Sequence, residues 1–219
     1  MIKFYTLLAG LFLCVSFAAG QRKVSELTLV YDANISSGSN EPKMADVLDG
    51  ATTTVYIKGH MSRSDMVSAL LSSSTIHDSR AGTAVVLKEV SGQKLLIRMN
   101  TQNWTDKNKR YDGIVFANTG ETKVIDNYNC LKAEAKLSDG NTFIVYYTTD
   151  IIPENKDYDY TFRNLNGLPL QYEVYQGDKL KIRYTVSKIS LDPVPASKFD
   201  IPTSGYREMT YEESRSSHQ

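Results

Sequence analysis

Cys130, His60 and His77 carry the side chains of this sequence best suited to nucleophilic or metal chemistry. A cysteine attacks as its thiolate, which requires a neighbouring base or an electropositive setting. Nothing in the spacing brings a histidine to Cys130, and Asn129-Cys130-Leu131 opens a run that alternates weakly through Ala133, Ala135 and Leu137. Cys130 therefore reads as a strand residue that packs, the ordinary behaviour of a free cysteine. A metal site would recruit His60 and His77 with Asp65 or Asp78, but the chain lacks H-x-x-x-H, H-E-x-x-H and paired-cysteine spacings.

The carboxylates offer two further patterns. Asp106, Asn108 and Asp112-Gly113 hint at an oxygen-ligand calcium loop, but Arg110 stands where another acceptor is wanted, and the turn glycine and closing glutamate are misplaced. This reads as a polar loop. Asp157 and Asp159 alternate with Tyr158 and Tyr160 on a segment expected to be exposed, so both should stay solvated, and no acid pair for glycoside chemistry follows. Serines 72–74 lack a nucleophile-elbow context and read as a strand end and turn. The expectation is a non-enzyme, with no catalytic residue, no metal ligand, no cofactor and no individually assignable ligand-binding residue.

Stepping along the chain, the first twenty residues have the form of an export signal: Lys3, an apolar run over residues 4–17, then Ala18 and Gly20 before Gln21. The run is too short to span a bilayer comfortably, and no later segment approaches the roughly 18 apolar residues a membrane helix needs. Cys14 would leave with the leader, so Cys130 would stand alone without an intrachain disulfide. Cys14 follows Leu13 rather than a small residue, which argues against lipidation there. The remaining chain, roughly 200 residues, suffices for one domain with its own core. Charge is balanced at 25 basic and 25 acidic groups, so nucleic acid is excluded as a partner for want of a basic field.

Period-2 alternation dominates the body: Val55 and Ile57; Val85 and Leu87; Leu95, Ile97 and Met99; Phe143, Val145 and Tyr147; Leu170, Tyr172 and Val174. Ser91-Gly92, Asp139-Gly140 and Gln176-Gly177 mark hairpin turns between such runs. Short helical turns are expected near 42–48, 105–110 and 195–199, and after Thr210, where Glu213 completes a capping-box spacing. Leu180, Ile182, Tyr184 and Val186 share one parity, but Ile189 and Leu191 take the other. A β-bulge at Ser187-Lys188 would re-phase that strand and coil it, as a sheet must to wrap into a half-barrel. The fourteen tyrosines against seven phenylalanines fit either a lined concavity or ordinary outer strand faces, the latter being the simpler expectation.

The segment 167–174 (GLPLQYEV) and the segment 188–213 (KISLDPVPASKFDIPTSGYREMTYEE) carry a family resemblance, supported upstream by 56–66, 75–78 and 126–151. They resemble small exported bacterial envelope proteins with GLPGLI-like signatures and, more distantly, periplasmic lipoprotein carriers of the LolA/LolB type. The matching positions are Gly167, Pro169 and Leu170, then Phe199, Pro202, Gly205 and Tyr206. The resemblance implies a curved antiparallel sheet around an apolar cavity for acyl chains, stoppered by helices. Helical signals here are short, and no functional residue carries over.

The sequence thus predicts a mainly β protein built on a curved antiparallel sheet, a LolA-like half-barrel with a few short helices. Residues 1–20 form the signal, 21–211 one domain, and 212–219 a frayed tail. The function expected is that of an exported envelope protein holding a lipid or acyl chain in the concave face. The alternative is an interaction or scaffold module that docks an envelope protein partner through a sheet edge or the segment 158–162. The compartment expected is the periplasm, the outer-membrane surface of a Gram-negative-type bacterium, or the medium.

Overall fold

The computed structural model describes residues 20–35, 49–176 and 180–216. The leader, Cys14, the connection at 36–40, the helical turn expected at 42–48 and the Gly177 turn lie outside the described residues.

Alternation in the sequence becomes alternation of burial. In β2 (Glu26–Ile35) Leu27, Leu29, Tyr31 and Ala33 are buried while their neighbours are not, and in β3 (Thr52–Lys58) Thr53, Val55 and Ile57 do the same. Each buried leucine or isoleucine contributes about 1.5–3 kcal/mol, which is what fixes the register: a one-residue slip would turn the whole set to solvent. The meander continues through β4 (Met61–Val67), β5 (Leu71–Asp78), β6 (Thr83–Val90) and β7 (Gln93–Met99). Ser91 and Gly92, both at positive φ, form the tight β6–β7 turn. Serines 72–74, expected at a strand end, lie within the body of β5.

After β7 come α1 (Thr101–Asn108), a 3₁₀ turn at Lys109–Tyr111, β8 (Val115–Ile125), β9 (Tyr128–Lys136) and β10 (Thr142–Thr148). A short β11 (Ile151–Pro153) pairs in parallel with β1 (Arg22–Val24). Two 3₁₀ turns follow, Lys156–Tyr158 and Tyr160–Phe162, then the long strands β12 (Leu168–Gln176) and β13 (Leu180–Ser190). A 3₁₀ turn at Ala196–Phe199, β14 (Arg207–Met209) and α2 (Tyr211–Ser216) close the described chain. One curved, open sheet holds twelve strands in the order β14-β7-β6-β5-β4-β3-β2-β13-β12-β10-β9-β8. Its pairings are antiparallel except for β14, which lies parallel to β7.

The expected bulge is present: the β13–β2 register shifts between Val186 and Lys188. The GLPL segment also acquires a physical reason. A side chain on Gly167 would collide with the Thr148 carbonyl and come within 2.7 Å of the Tyr147 ring. Pro169 sits opposite Tyr147 where the β10–β12 register shifts, a place where a missing N–H is tolerated, and its carbonyl accepts the buried Tyr31 hydroxyl at 2.8 Å. Leu168 and Leu170 then enter the main apolar cluster with Leu27, Leu29, Ile57 and Cys130.

Both helices lie on the inner face. Asn100 and Asn103 cap α1 reciprocally, and Trp104 of α1 and Tyr211 of α2 pack over Ala84, Val86, Ile97 and Met99. The chain beyond Tyr211, expected to fray, is helical through Ser216. The Thr210–Glu213 capping box opens this helix, with Glu213 N–H donating to Thr210 Oγ1 at 3.1 Å. On the outer face, residues 191–206 return from β13 to β14, where Tyr206 covers Val85, Leu87 and Leu96.

Candidate functional site

In strand pairing order, Thr53, Met66 and Ser64 on β3 and β4, Tyr172 and Val174 on β12, and Tyr184 on β13 fall on the same inner face. Together with Phe143, Leu137, Tyr111 and Phe162 they line a groove of about 820 Å³. Its floor is aromatic. Tyr172 and Tyr184 are cross-strand partners whose rings stack at 5.0 Å and 17°. Tyr31 meets Tyr172 edge-on at 5.6 Å, and Phe162 does so at 4.9 Å. Burial drives the phenol pKa values of Tyr31 and Tyr172 well above their ordinary value, so both remain neutral hydroxyls, and Thr53, Ser64, Asn141 and Thr142 add polar groups to the groove wall.

The segment expected to be a solvated acidic excursion is instead the plug of the hollow. Tyr160 and Phe162 are buried, and Phe162 packs among Phe116, Phe143 and Tyr172. Asn155 and Asp159 hold the two 3₁₀ turns by accepting the N–H groups of Asp157 and Thr161 at 3.1 and 2.9 Å. The two aspartates differ. Asp157 remains near the surface and pairs with Arg163 at 3.0 Å. Asp159 lines the hollow, and burial raises its carboxyl pKa above the usual range, partly offset by the hydrogen bonds from Thr161. The segment 158–162 is thus committed to the inside and is not a free docking strip.

Beside the groove lies a smaller chamber of about 150 Å³. Ser62, Ser64, Thr75 and His77 form its strand side, Trp104, Lys107 and Asn108 its helix side, and Tyr158, Asp159 and Tyr160 its third wall. His77 is 4% exposed and stacks on Trp104 at 4.5 Å. Desolvation is the largest influence on its pKa and depresses it, with the Asp157 carbonyl opposing, so the imidazole is neutral at pH 7. His77 Nδ1 and the Tyr158 hydroxyl are buried without a hydrogen-bond partner.

The remaining candidates are dispersed. Cys130 is fully buried on β9, six strands (β4, β3, β2, β13, β12, β10) removed from His77 in sheet order. Burial pushes its thiol up to about 11, the opposite of an activated nucleophile. His60 approaches Asp78 at 3.8 Å, while Asp65 is engaged by Arg63 at 2.6 Å. Among the described residues no three His, Cys, Asp or Glu side chains converge as metal ligands. In the would-be calcium loop, Asp106 accepts from Gln102 at 2.9 Å, Asn108 donates to the Trp104 carbonyl at 2.8 Å, and Asp112 accepts from Tyr160 at 2.6 Å. Their groups serve the packing of α1 and the plug.

Sequence reasoning missed the plug, although Tyr158, Tyr160 and Phe162 recur at every second position. The missing piece was Asp159 as a local turn-maker for Thr161, which folds the alternation into a 3₁₀ turn rather than a strand.

These features define a mainly β protein built on one open, curved antiparallel sheet whose inner face carries two short helices and an aromatic groove. The chain superposes on the solved structure of PNGF-II with a TM-score of 0.51 at 12% identity, over 89% of this chain and 33% of that one. It therefore spans about a third of the length of that protein and shares a fold with that part of it. MucB superposes with a TM-score of 0.38 at 10% identity, covering 82% of this chain and 58% of that one. A LolA superfamily protein from Nitrosomonas europaea gives 0.34 at 10% identity, covering 81% and 90%. At these scores neither likeness bears on ligand or partner. No family model and no curated protein matches the chain. Among the described residues no helix is long and apolar enough to cross a membrane.

Proposed function

We propose that the chain is an exported, non-enzymatic binding protein of the cell envelope. Its groove holds an amphipathic molecule, a lipid or acyl chain, by burying apolar surface against Tyr172, Tyr184, Phe143 and Phe162. The observation that carries this reading is the groove itself: about 820 Å³ of concave space, of ligand-pocket size, floored by a stacked aromatic pair and bordered by few charged side chains. Phenol hydroxyls on that floor suit a ligand with both apolar and polar parts. The leader-like first twenty residues support export, and the resemblance of the segments 167–174 and 188–213 to LolA/LolB-type carriers supports a hydrophobic cargo.

The plug packs Phe162 into the hollow against Phe116, Phe143 and Tyr172, so the cargo lies along the groove beside it. Mass spectrometry under denaturing conditions, on protein purified from its native envelope, should release a reproducible amphipathic species. Protein that is consistently empty and fails to bind fluorescent fatty acids removes the proposal.

A second reading, a docking module without a small-molecule ligand, is favoured by β8. This eleven-residue strand is an edge of the sheet and is almost wholly exposed, with Val115 and Val124 each more than 60% accessible. Such an edge can accept a partner strand. Replacing Val124 with Pro should abolish capture of an envelope partner while leaving fatty-acid binding intact.

A further inference from the structure

Resting on the groove reading above, the geometry points to the kind of polar head the ligand carries: we infer that the chamber beside the groove receives a primary ammonium group, held by the Asp159 carboxylate, His77 Nδ1 and the Tyr158 hydroxyl. Asp159 and Ser64 line both the groove and the chamber, so the two spaces meet there. An apolar chain along the Tyr172–Tyr184 floor places its head at that junction.

Two groups at the junction, His77 Nδ1 and the Tyr158 hydroxyl, have no hydrogen-bond partner, and a third, the Asp159 carboxyl, has no ion pair among the described residues. Asp159 makes no ion pair among the described residues, and its resolved interactions are with Thr161. A buried carboxylate facing no cation is costly and calls for one. His77 is more than nine-tenths buried, faces the chamber and has no partner for Nδ1. The Tyr158 hydroxyl oxygen is likewise buried without a partner.

An ammonium has three donors and no acceptor. It offers one donor to a carboxylate, one to the lone pair of a neutral imidazole and one to a hydroxyl, and those are the acceptors present. A chamber of about 150 Å³ has room for such a head with a few waters, each taking about 30 Å³.

An anionic head would meet Asp159. Lys107 lines the chamber from its helix side and also borders a basic depression with Lys88, Lys109 and Arg215, while Arg163 lies over the Tyr160 ring at 4.5 Å and is paired with Asp157 at 3.0 Å.

Trp104, the one tryptophan of the chain, lines the chamber and reports its occupancy. The test is a fluorescence titration of the full mature protein with octylamine, octanol and octanoate, each below its micellar concentration, repeated with Asp159→Asn and Tyr158→Phe. Asparagine retains an acceptor for the Thr161 N–H, and loss of the unpaired Tyr158 hydroxyl leaves the fold unstrained. The expected result is octylamine binding at least about tenfold tighter than octanol, with octanoate weakest, a charged hydrogen bond being worth that much. Asp159→Asn should erase the preference while octanol affinity stays within about twofold, and Tyr158→Phe should weaken octylamine severalfold at unchanged stability. Equal binding of all three probes, or a preference that survives both variants, overturns the ammonium inference and leaves the groove reading standing. Failure of all three to bind overturns the groove reading itself, and the inference with it.

Discussion

Truncating Phe162 to alanine tests whether the aromatic turn truly plugs the hollow. The ring is 3% exposed and is enclosed by Tyr172, Phe143 and Phe116 with centroids at 4.9, 6.4 and 6.5 Å. A buried phenylalanine removes about 150–200 Å² from water, which at about 25 cal/mol per Å² is roughly 4–5 kcal/mol. Measured Phe→Ala losses of about 3–5 kcal/mol agree. The site can collapse little, because Ala133, Ala135 and Val145 behind it belong to paired strands. Equilibrium urea denaturation followed by circular dichroism is the assay. With a urea dependence of about 2 kcal/mol per molar, the midpoint should fall by about 1.5–2.5 M. Tyr175→Ala, at a half-exposed ring, is the control and should cost less than about 0.5 kcal/mol. A loss below about 1 kcal/mol for Phe162→Ala would refute the plug, since the segment would then rest on the sheet without filling it.

Three more outcomes follow from particular contacts. Gly167→Ala should destabilise the fold by about 1–3 kcal/mol in the same urea assay, because the new methyl strikes the Thr148 carbonyl and the Tyr147 ring; a neutral result would mean the β10–β12 junction is loose. Cys130 should react with iodoacetamide on the order of a hundredfold more slowly in native than in urea-unfolded protein at pH 8, since burial holds its thiol at about 11; equal rates would place it at the surface. Glu173, on the outer face, is desolvated, which raises its pKa, but hydrogen bonds from Lys181 at 2.7 Å and Arg183 at 2.9 Å outweigh this and hold it below the ordinary value. A depressed carboxyl stabilises the fold above its unfolded pKa and stops doing so as pH falls through the folded one. Glu173→Gln should therefore cost about 1 kcal/mol at pH 7, given partly exposed partners, and the difference from wild type should close in acid; a pH-independent difference would reject the ion-pair assignment.

How far the sequence revealed this molecule depended on whether the deciding interaction was local. The strands were legible where burial on one parity, as at Val55 and Ile57 or Phe143 and Val145, is a two-residue rhythm. The Ser187 bulge was legible because it breaks that rhythm. Gly167 and Pro169 could be recognised as a signature, but their cause, the collision with Thr148 and the Tyr31 hydroxyl, lies across the sheet. The site was less visible still. Asp157 and Asp159 look alike in sequence, and only the fold makes one a surface ion-pair partner and the other an enclosed carboxylate. Likewise nothing in the spacing of His77 and Trp104 announced that β5 and α1 would stack their rings.

The register shifts explain why the groove lies where it does. They occur between Val186 and Lys188, between Tyr146 and Tyr147, and between Asn118 and Thr122, all in the β13-to-β8 part of the sheet or at its seam with β2. The pairings from β2 through β7 run without a shift. Bulges bend and coil the strands that carry them, so the bent half forms the wall around Tyr172 and Phe143 and the regular half offers an even face on which α1 and α2 can lie. The chamber is walled by β4 and β5 of the regular half and by the plug, whose Phe162 packs on the bent half and whose Tyr158 and Tyr160 reach the side of His77 and Trp104. Ligand chemistry would thus be set at a boundary between two kinds of sheet rather than on either alone, and variants that remove a bulge should reshape the groove without disturbing the packing beneath α1.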